Sequence, residues 1–451
     1  MAKETAELAD YAASCRYEDI PPEVVDRAKQ CITDTIAAVI FGYDLPWSRM
    51  VVAFAAKHGA GGNSRILGLG APRVHAPAAA LANGALAHAF EMDNLTWPST
   101  GVHPGATLLT SGLAVAQERG IGGRELITAI VAGAEVMIRI GRATKHSNEG
   151  RGFHAPGTTG PFGAAIASGR LMGFDTERMR NALGIAGSLA CGLLEFARAG
   201  NGAMVKRLHL GRAAESGVLA ASLAGEGFTG PASVLEGEFG FLRVFCGSEF
   251  DPHELTDGLG DSYATRSIML KRFPCHITAH TSVQAILDLR TEHGYAAADV
   301  ASIHIAGNDK MARVNNIASP ADIMMAQCSI PFCVALAHVR DPRDPRSFDE
   351  SALREPRIRS LAERVTITIA QERPTPLAAL VTVELKDGRV LTRCVADFKG
   401  TPAQPLDQGE LREKFLLLTR HCSGEYMGDM FDRLQNLERE SNLDWIGVYP
   451  Q

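Results

Sequence analysis

The chain has 451 residues, of which 46% are hydrophobic and 21% charged, and its formal net charge is −6. These values are typical of a globular protein, the length favours two domains, and the acidic balance without a basic run gives no support for nucleic-acid binding. The charged N-terminus and the absence of an apolar run near the roughly 18 residues of a membrane span predict neither a signal peptide nor a membrane segment. The nine cysteines show no C-x-x-C spacing, which argues against a disulfide scaffold or metal cluster and favours a reducing cytoplasm.

The chain is predicted to be helical up to about residue 265, because apolar residues recur there every three or four positions. Clear examples are the segments 24–40, 78–92, 104–119 and 124–140. These helices are rich in Gly and Ala, which allow close approach of their backbones. In the helix after Lys206, the small residues Ala213, Gly217 and Ala221 form a stripe that we interpret as a packing seam.

Strand patterns appear only in the later part of the chain. Alternating β-branched and polar residues predict strands at 301–307, 364–370 and 380–398. The last segment contains Lys386-Asp387-Gly388-Arg389, a strong signal for a two-residue hairpin turn. Helices are predicted between the strands, at 275–290 and 321–340.

Helical patterns return after Pro402 and Pro405, at 409–420 and 426–437. We expect these two helices to pack on the first domain. The predicted fold is therefore mainly α, with a large all-helical domain (1–267 and 405–451) and a smaller α+β lid domain (268–404).

A polar stretch, FEMDNLTWPSTGVHPGATL at 90–108, interrupts one of the most alanine-rich parts of the helical region. It places Asp93, Asn94, Thr96, Trp97 and His103 between two segments that are predicted to be buried. Polar groups in such a place are costly unless they are paired or used. We therefore interpret the stretch as one wall of an active site, with Trp97 as a packed loop aromatic.

Four polar clusters share one position, at or just before the start of a predicted helix. They are His103 before Pro104, His154 with the turn Gly157-Thr158-Thr159-Gly160 before Pro161, Lys206 and Arg207 after Asn201-Gly202, and Lys271 and Arg272 before Pro274 and His276. Free N–H groups and the positive end of the helix dipole make helix starts good anion binders. Together the clusters predict a pocket for a small molecule with several carboxylates.

Each cluster also has a purely structural interpretation. A lone histidine at a helix start is often a cap, and Lys206 and Arg207 could be surface charges. His276 and His280 have the i, i+4 spacing of metal ligands but lack a third ligand, so no metal site is predicted. GTTGPFG lacks the strand that precedes a phosphate loop, and no G-x-S-x-G motif supports a serine hydrolase.

The motifs, in their order along nearly the whole chain, resemble the MmgE/PrpD family, which includes 2-methylcitrate dehydratase, cis-aconitate decarboxylase and iminodisuccinate epimerase. The matching segments are HAFEMDN (88–94), GVHPGATL (101–108), GFHAPGTTGPFGAA (152–165), KRLHLGRAAESG (206–217), KRFPCHITAH (271–280) and GTPAQPL (400–406). The resemblance implies a helical domain built from both chain ends and a lid, with the active site between them. It also implies a homodimer and chemistry without a metal or organic cofactor.

The resemblance also implies which residues form the site. Those expected to be catalytic are Asp93, His103, His154, Lys206, Lys271 and His276. Those expected to bind the substrate are Asn94, Thr158, Thr159, Arg207 and Arg272. Two departures from the family pattern stand out: Asn94 replaces a frequent second acid, and Lys206-Arg207 replaces a common Lys-Pro pair, so the substrate need not be methylcitrate.

The leading functional hypothesis is a hydro-lyase that acts on a small di- or tricarboxylic hydroxy acid of the 2-methylcitrate type. Removing a proton next to a carboxylate creates an enolate-like dianion, which Lys206 and Lys271 would stabilise while His103, oriented by Asp93, acts as acid or base. His154 and His276 would bind a carboxylate or deliver a second proton. The alternatives are a decarboxylase or epimerase on a related polycarboxylate such as cis-aconitate or iminodisuccinate, and a non-catalytic carboxylate-binding protein.

Overall fold

The computed structural model describes residues 3–68, 70–96, 101–197 and 203–447. Trp97 and the pair Asn201-Gly202 lie outside these ranges. The helices of the first part of the chain are α1 (Glu4–Ser14), α2 (Pro22–Gly42), α3 (Pro46–His58), α4 (Ala76–Ala87), α5 (Thr110–Arg119), α6 (Gly123–Ala143), α7 (Ser147–Gly150), α8 (Ala155–Leu171), α9 (Thr176–Ser188), α10 (Val205–Gly225) and α11 (Phe241–Cys246). A π-helical turn, Gly105–Leu109, leads directly into α5.

The later helices are shorter on average and are interspersed with the main strands. They are α12 (His280–His293), α13 (Asp309–Arg313), α14 (Ile323–Cys328), α15 (Ile330–Val339), α16 (Glu350–Arg354), α17 (Pro356–Ala362), α18 (Gln408–Leu418) and α19 (Gly424–Gln435). The strands are β1 (Ala60–Arg65), β2 (Arg73–Val74), β3 (Leu95–Thr96), β4 (Ile268–Met269), β5 (Val300–Gly307), β6 (Val365–Ile369), β7 (Ala379–Leu385) and β8 (Val390–Val395). Single 3₁₀ turns occur at Tyr17–Asp19, Leu194–Ala197, Pro252–Leu255, Ala264–Ser267, Ile277–Ala279, Ala297–Asp299, Pro345–Ser347 and Leu437–Arg439.

The centre of the helical domain is a tightly packed group formed by α4, α6, α8 and α10. Small residues make this packing possible: a Cβ atom at Gly84 of α4 would lie 2.8 Å from the Cα of Gly211 in α10. A Cβ at Gly217 would lie 2.3 Å from the side chain of Ala164 in α8. The stripe predicted from the sequence therefore faces α8 and is buried, as a packing seam requires.

The lid is built on a four-stranded sheet in the order β6-β5-β7-β8, with β5 and β6 parallel and the other neighbours antiparallel. Alternate residues of β7 are buried, because α12 covers one face of the sheet and α15 packs behind it. The hairpin between β7 and β8 differs from the predicted two-residue turn. Three residues separate the paired Leu385 and Arg389, since Gly388 at φ +88° adds a bulge to the turn.

Several contacts hold the lid and the two C-terminal helices against the rest of the helical domain. Helices α18 and α19 pack on α2. The antiparallel pair β3–β4 joins Leu95 to Met269, and the side-chain amide of Gln327 donates to the carbonyls of both Phe90 and Pro274 at 3.0 Å. The fold is thus mainly α with a smaller α+β region, as the sequence predicted.

Two general features bear on the sequence predictions. All nine cysteines lie within the described residues, and all are free thiols. Among the described helices, none is by itself both long and apolar enough to cross a membrane; α2 and α3 meet that test only together, and they are bent by 97°.

Candidate active site

The polar stretch after α4 forms a buried hydrogen-bonded group around Asp93. The helix ends at Ala87, earlier than the sequence pattern predicted, and the chain then turns so that the Asp93 carboxylate is fully buried. It lies 2.6 Å from Nδ1 of His103 and 3.0 Å from Nδ1 of His88. Burial alone would raise the pKa of Asp93, but the two imidazoles hold that pKa well below its ordinary value.

An ionised carboxylate only accepts hydrogen bonds, so both histidines donate to Asp93 through Nδ1 and present Nε2 to their surroundings. Burial lowers the pKa of His88 to about 4, although Asp93 opposes that shift, so His88 is neutral near pH 7. The two rings differ in access, because the side chain of His103 is 10% exposed and that of His88 is 1% exposed. His103 is therefore the more accessible of the two imidazoles that contact Asp93.

His154 stands at the start of α8, next to the Asp93 group. Its ring centre lies 6.4 Å from that of His88, and its Nδ1 is 2.8 Å from Nδ1 of His209 on α10. Burial lowers the pKa of both members of this pair, His209 to about 4 and His154 well below its ordinary value, and neighbouring imidazoles add to the effect. At this distance two neutral rings form one N–H···N hydrogen bond, in which one Nδ1 carries the proton and donates it while the other Nδ1 accepts.

The segment after His154 corrects the sequence analysis, which predicted a Gly-Thr-Thr-Gly turn and a helix start at Pro161. Instead, α8 begins at Ala155 and runs through Pro161. A proline inside a helix removes one backbone hydrogen bond. The carbonyl of Gly157, which would have accepted that bond, accepts one from the N–H of Cys191 at 3.2 Å instead.

A second polar group joins the two domains at Glu91. Its carboxylate forms an ion pair with Nζ of Lys206, in the first turn of α10, and with Nζ of Lys271, at 2.8 Å, in the segment that follows β4. All three side chains are at least 88% buried. Glu91 has φ +57°, a left-handed conformation that is uncommon for residues other than glycine.

Burial acts on the cations of this group. It lowers the pKa of Lys206 to about 8, and it lowers the pKa of Lys271. Arg207, the neighbour of Lys206, has its pKa lowered to about 10 by burial. Its Nε donates to the carbonyl of Ala89 at 3.1 Å, and its guanidinium lies 4.2 Å from the ring centre of Trp47.

His276 approaches the same region from the lid. It caps the 3₁₀ turn that precedes α12, with Nδ1 2.8 Å from Oγ1 of Thr278. Burial, together with the nearby cations Lys310, Lys206 and Lys271, holds the pKa of His276 well below its ordinary value. A neutral imidazole beside these three ammonium groups can relay a proton, taking one up at one ring nitrogen and releasing one from the other, without a lasting change of charge.

The residues predicted to bind substrate are engaged with the protein itself. The amide of Asn94 donates to Thr35 at 2.9 Å and to Asp34 at 3.1 Å, and its oxygen accepts from the N–H of Gly105 at 2.8 Å. The fully buried Thr158 and Thr159 both donate to the carbonyl of Ala155, and Arg272 donates to Gln284 at 3.2 Å. These contacts give Asn94 and the two threonines a supporting position around the site.

The structure brings the predicted Asp93, His103 and His154 together in one group, and the predicted Lys206 and Lys271 in a second. The sequence analysis missed three members of these groups: His88, Glu91 and His209. A signal existed for each, because His88 and Glu91 lie in the HAFEMDN motif and His209 follows Lys206 by three residues on one helix.

The group around Asp93 also has a spacing that could hold a metal ion. One ligand atom from each of His88, Asp93 and His103 lies within 4.8 Å of the other two. The nitrogen–oxygen separations of 2.6 and 3.0 Å are those of direct hydrogen bonds, so the geometry described here is a proton-sharing one.

Comparison with known proteins accounts for nearly the whole chain. The sequence profile of the MmgE/PrpD N-terminal domain matches residues 6–253, and that of the MmgE/PrpD C-terminal domain matches residues 273–435. The domain boundary expected at 267/268 lies between the two matches, whereas the second match includes α18 and α19, which pack on α2.

Curated relatives match over similar lengths. The chain is 29% identical to a cis-aconitate decarboxylase of Aspergillus terreus, with 97% of this chain and 94% of the relative covered. It is 27% identical to the cis-aconitate decarboxylase of Homo sapiens, with 92% and 88% covered, and 26% identical to that of Mus musculus, with 91% and 86% covered.

Proposed function

The chain belongs to the MmgE/PrpD family, and from that premise we propose that it is a carboxy-lyase acting on a small unsaturated tricarboxylate of the cis-aconitate type. The observation that carries the proposal is the presence of two polar groups in the same part of the structure. In one, His103 is hydrogen-bonded to the buried Asp93. In the other, the buried Lys206 and Lys271 share the carboxylate of Glu91, two residues before Asp93. The relatives from Aspergillus terreus and Homo sapiens, which match over more than nine-tenths of this chain, are named as cis-aconitate decarboxylases, and this favours decarboxylation over the hydro-lyase reaction expected from the motifs alone.

The proposed reaction needs one proton and a site for the negative charge. When the C–C bond to the departing carboxylate breaks, CO₂ leaves. The electron pair of the broken bond stays on the carbon skeleton and forms a new C=C bond. The former double bond then takes up a proton at its far carbon. His103, oriented by Asp93, would supply that proton, and the ammonium groups of Lys206 and Lys271 would stabilise the charge that develops on the remaining carboxylates.

The test is product analysis with purified protein. Incubation with cis-aconitate should release CO₂ and give, in equal amount, a dicarboxylate whose terminal alkene is visible by proton NMR. Water loss from a 2-methylcitrate-type hydroxy acid, with no CO₂ from cis-aconitate, would instead support the hydro-lyase. Binding of these acids without turnover or deuterium exchange from solvent would support a non-catalytic binding protein.

The buried lysines lead to a prediction about pH. Because burial lowers the pKa of Lys206 to about 8, this residue loses its charge as pH rises through that value, far below the range of an exposed lysine. We expect the affinity for propane-1,2,3-tricarboxylate to fall over the same interval. Arginine keeps its charge, so Lys206→Arg should bind the ligand without that fall. Calorimetric titrations across the pH range measure both, and a fall that is identical in the two proteins would assign it to another group.

A further inference from the structure

The two lysines that the proposed function assigns to substrate carboxylates already hold a carboxylate of the protein. Glu91 bridges Lys206 and Lys271, which come from different parts of the chain, with one oxygen for each ammonium group. This is the arrangement that a substrate carboxylate would adopt between the same two cations. A bound substrate and the present position of Glu91 therefore compete for the same donors.

The backbone of Glu91 supports the view that its position depends on the lysines. A non-glycine residue at φ +57° has a conformation that persists only when its surroundings hold it there. Its neighbours are fixed independently: the carbonyl of Phe90 accepts from Gln327, and Asp93 is held by two histidines. The Glu91 carboxylate is bound by both lysines, one at each oxygen, so the ion pairs hold this carboxylate in place.

The charges of this group have a consequence for selectivity. With Glu91 in place, one negative charge offsets two positive ones, and the second nearby acid, Asp93, is engaged with its histidines. If the net charge of the pocket becomes more positive, the binding free energy of a ligand with three carboxylates improves more than that of a ligand with two. Residue 91 therefore influences how strongly the pocket prefers highly charged anions.

We propose that Glu91 is an internal carboxylate ligand of Lys206 and Lys271 that a substrate carboxylate displaces, and that it thereby sets the affinity of the site for polyanions. The proposal rests on the proposed function only in taking the two lysines as the anion site. It predicts that the neutral isostere Glu91→Gln binds polycarboxylates more tightly than the wild type. A residue that merely held the lysines in position would give the opposite result.

The experiment is calorimetric titration of the full chain with propane-1,2,3-tricarboxylate and with glutarate, at about pH 6, where lysines keep their protons. We expect Glu91→Gln to bind the tricarboxylate at least about tenfold more tightly than the wild type, with a smaller gain for glutarate. Glu226→Gln, a change at an exposed carboxylate on the helical domain, is the matched control and should bind like the wild type. If Glu91→Gln is too unstable to titrate, the rise in its unfolding temperature on adding ligand reports the same affinity and should exceed that of the wild type.

The outcomes separate this proposal from the function on which it rests. Equal or weaker binding by Glu91→Gln, with normal binding by the wild type, would overturn the role of Glu91 and leave the carboxy-lyase proposal standing. Failure of the folded wild type and of both variants to bind either anion would overturn the anion site itself, and the role of Glu91 with it.

Discussion

Replacing His103 by alanine should lower kcat on cis-aconitate by about 10²–10⁴-fold, the usual cost of losing a general acid or base. The reason is the position of the ring: Nδ1 is held by Asp93 at 2.6 Å, and the side chain is the more exposed of the two imidazoles that contact this carboxylate. Steady-state kinetics of CO₂ release measures the effect. Binding of propane-1,2,3-tricarboxylate should change little, because the cations that bind carboxylates are untouched.

Two controls make this result specific. His253→Ala, at an exposed histidine of the same domain, should retain full activity. The unfolding temperature of His103→Ala should stay close to that of the wild type, which shows that the loss is chemical. Turnover by His103→Ala at the wild-type rate would remove His103 from the reaction and leave His154 or His276 as the proton donor.

The positions of the catalytic candidates could be predicted from local signals. Proline and glycine residues marked the region of each helix start, although α8 begins at Ala155 and not at the predicted Pro161. The structure places His154 at the N-cap of α8 and Lys206 in the first turn of α10. His276 likewise caps a helical turn. Such positions depend on residues a few places apart, which is the range over which sequence patterns are informative.

The partners of these residues could not be predicted in the same way. Glu91 and Lys271 are 180 residues apart, and His154 and His209 are 55 apart, so their contacts depend on how whole helices pack. The course of α8 through Pro161 has a similar cause, since the carbonyl freed by the proline finds a donor in Cys191. Tertiary contacts decided each case in which the local pattern failed.

The departure at Asn94 gains a physical explanation from its surroundings. Its amide lies 3.1 Å from the carboxylate of Asp34, which already forms an ion pair with Lys414. A second acid at position 94 would put two carboxylates and one ammonium group into the same buried space. Asparagine keeps the hydrogen bonds of this position, including the one from the N–H of Gly105, while the pair of Asp34 and Lys414 remains neutral.

Lys414 is therefore expected to matter greatly for stability although it lies outside the proposed reaction. It extends from α18 to Asp34 on α2, and its Nζ also donates to the carbonyl of Met92 at 3.2 Å, next to Asp93. Burial raises the pKa of Asp34, and Lys414 is the main group that opposes this shift. Lys414→Met leaves the buried carboxylate without its cation, and the free energy of unfolding should fall by about 3–5 kcal/mol.

Urea denaturation of matched variants measures this loss. The matched control is Lys399→Met, which removes a cation that pairs with Glu410 on α18, the helix that carries Lys414. Lys399 is 35% exposed, so this change should lower the free energy of unfolding by at most about 1 kcal/mol. Adding Asp34→Asn to Lys414→Met removes the unpaired charge while keeping an oxygen for the Asn94 amide, and should recover most of the lost stability. If the double variant is no more stable than Lys414→Met, the loss comes from packing of the lysine chain, and the charge pair is not what holds α18 against the loop that carries Asp93.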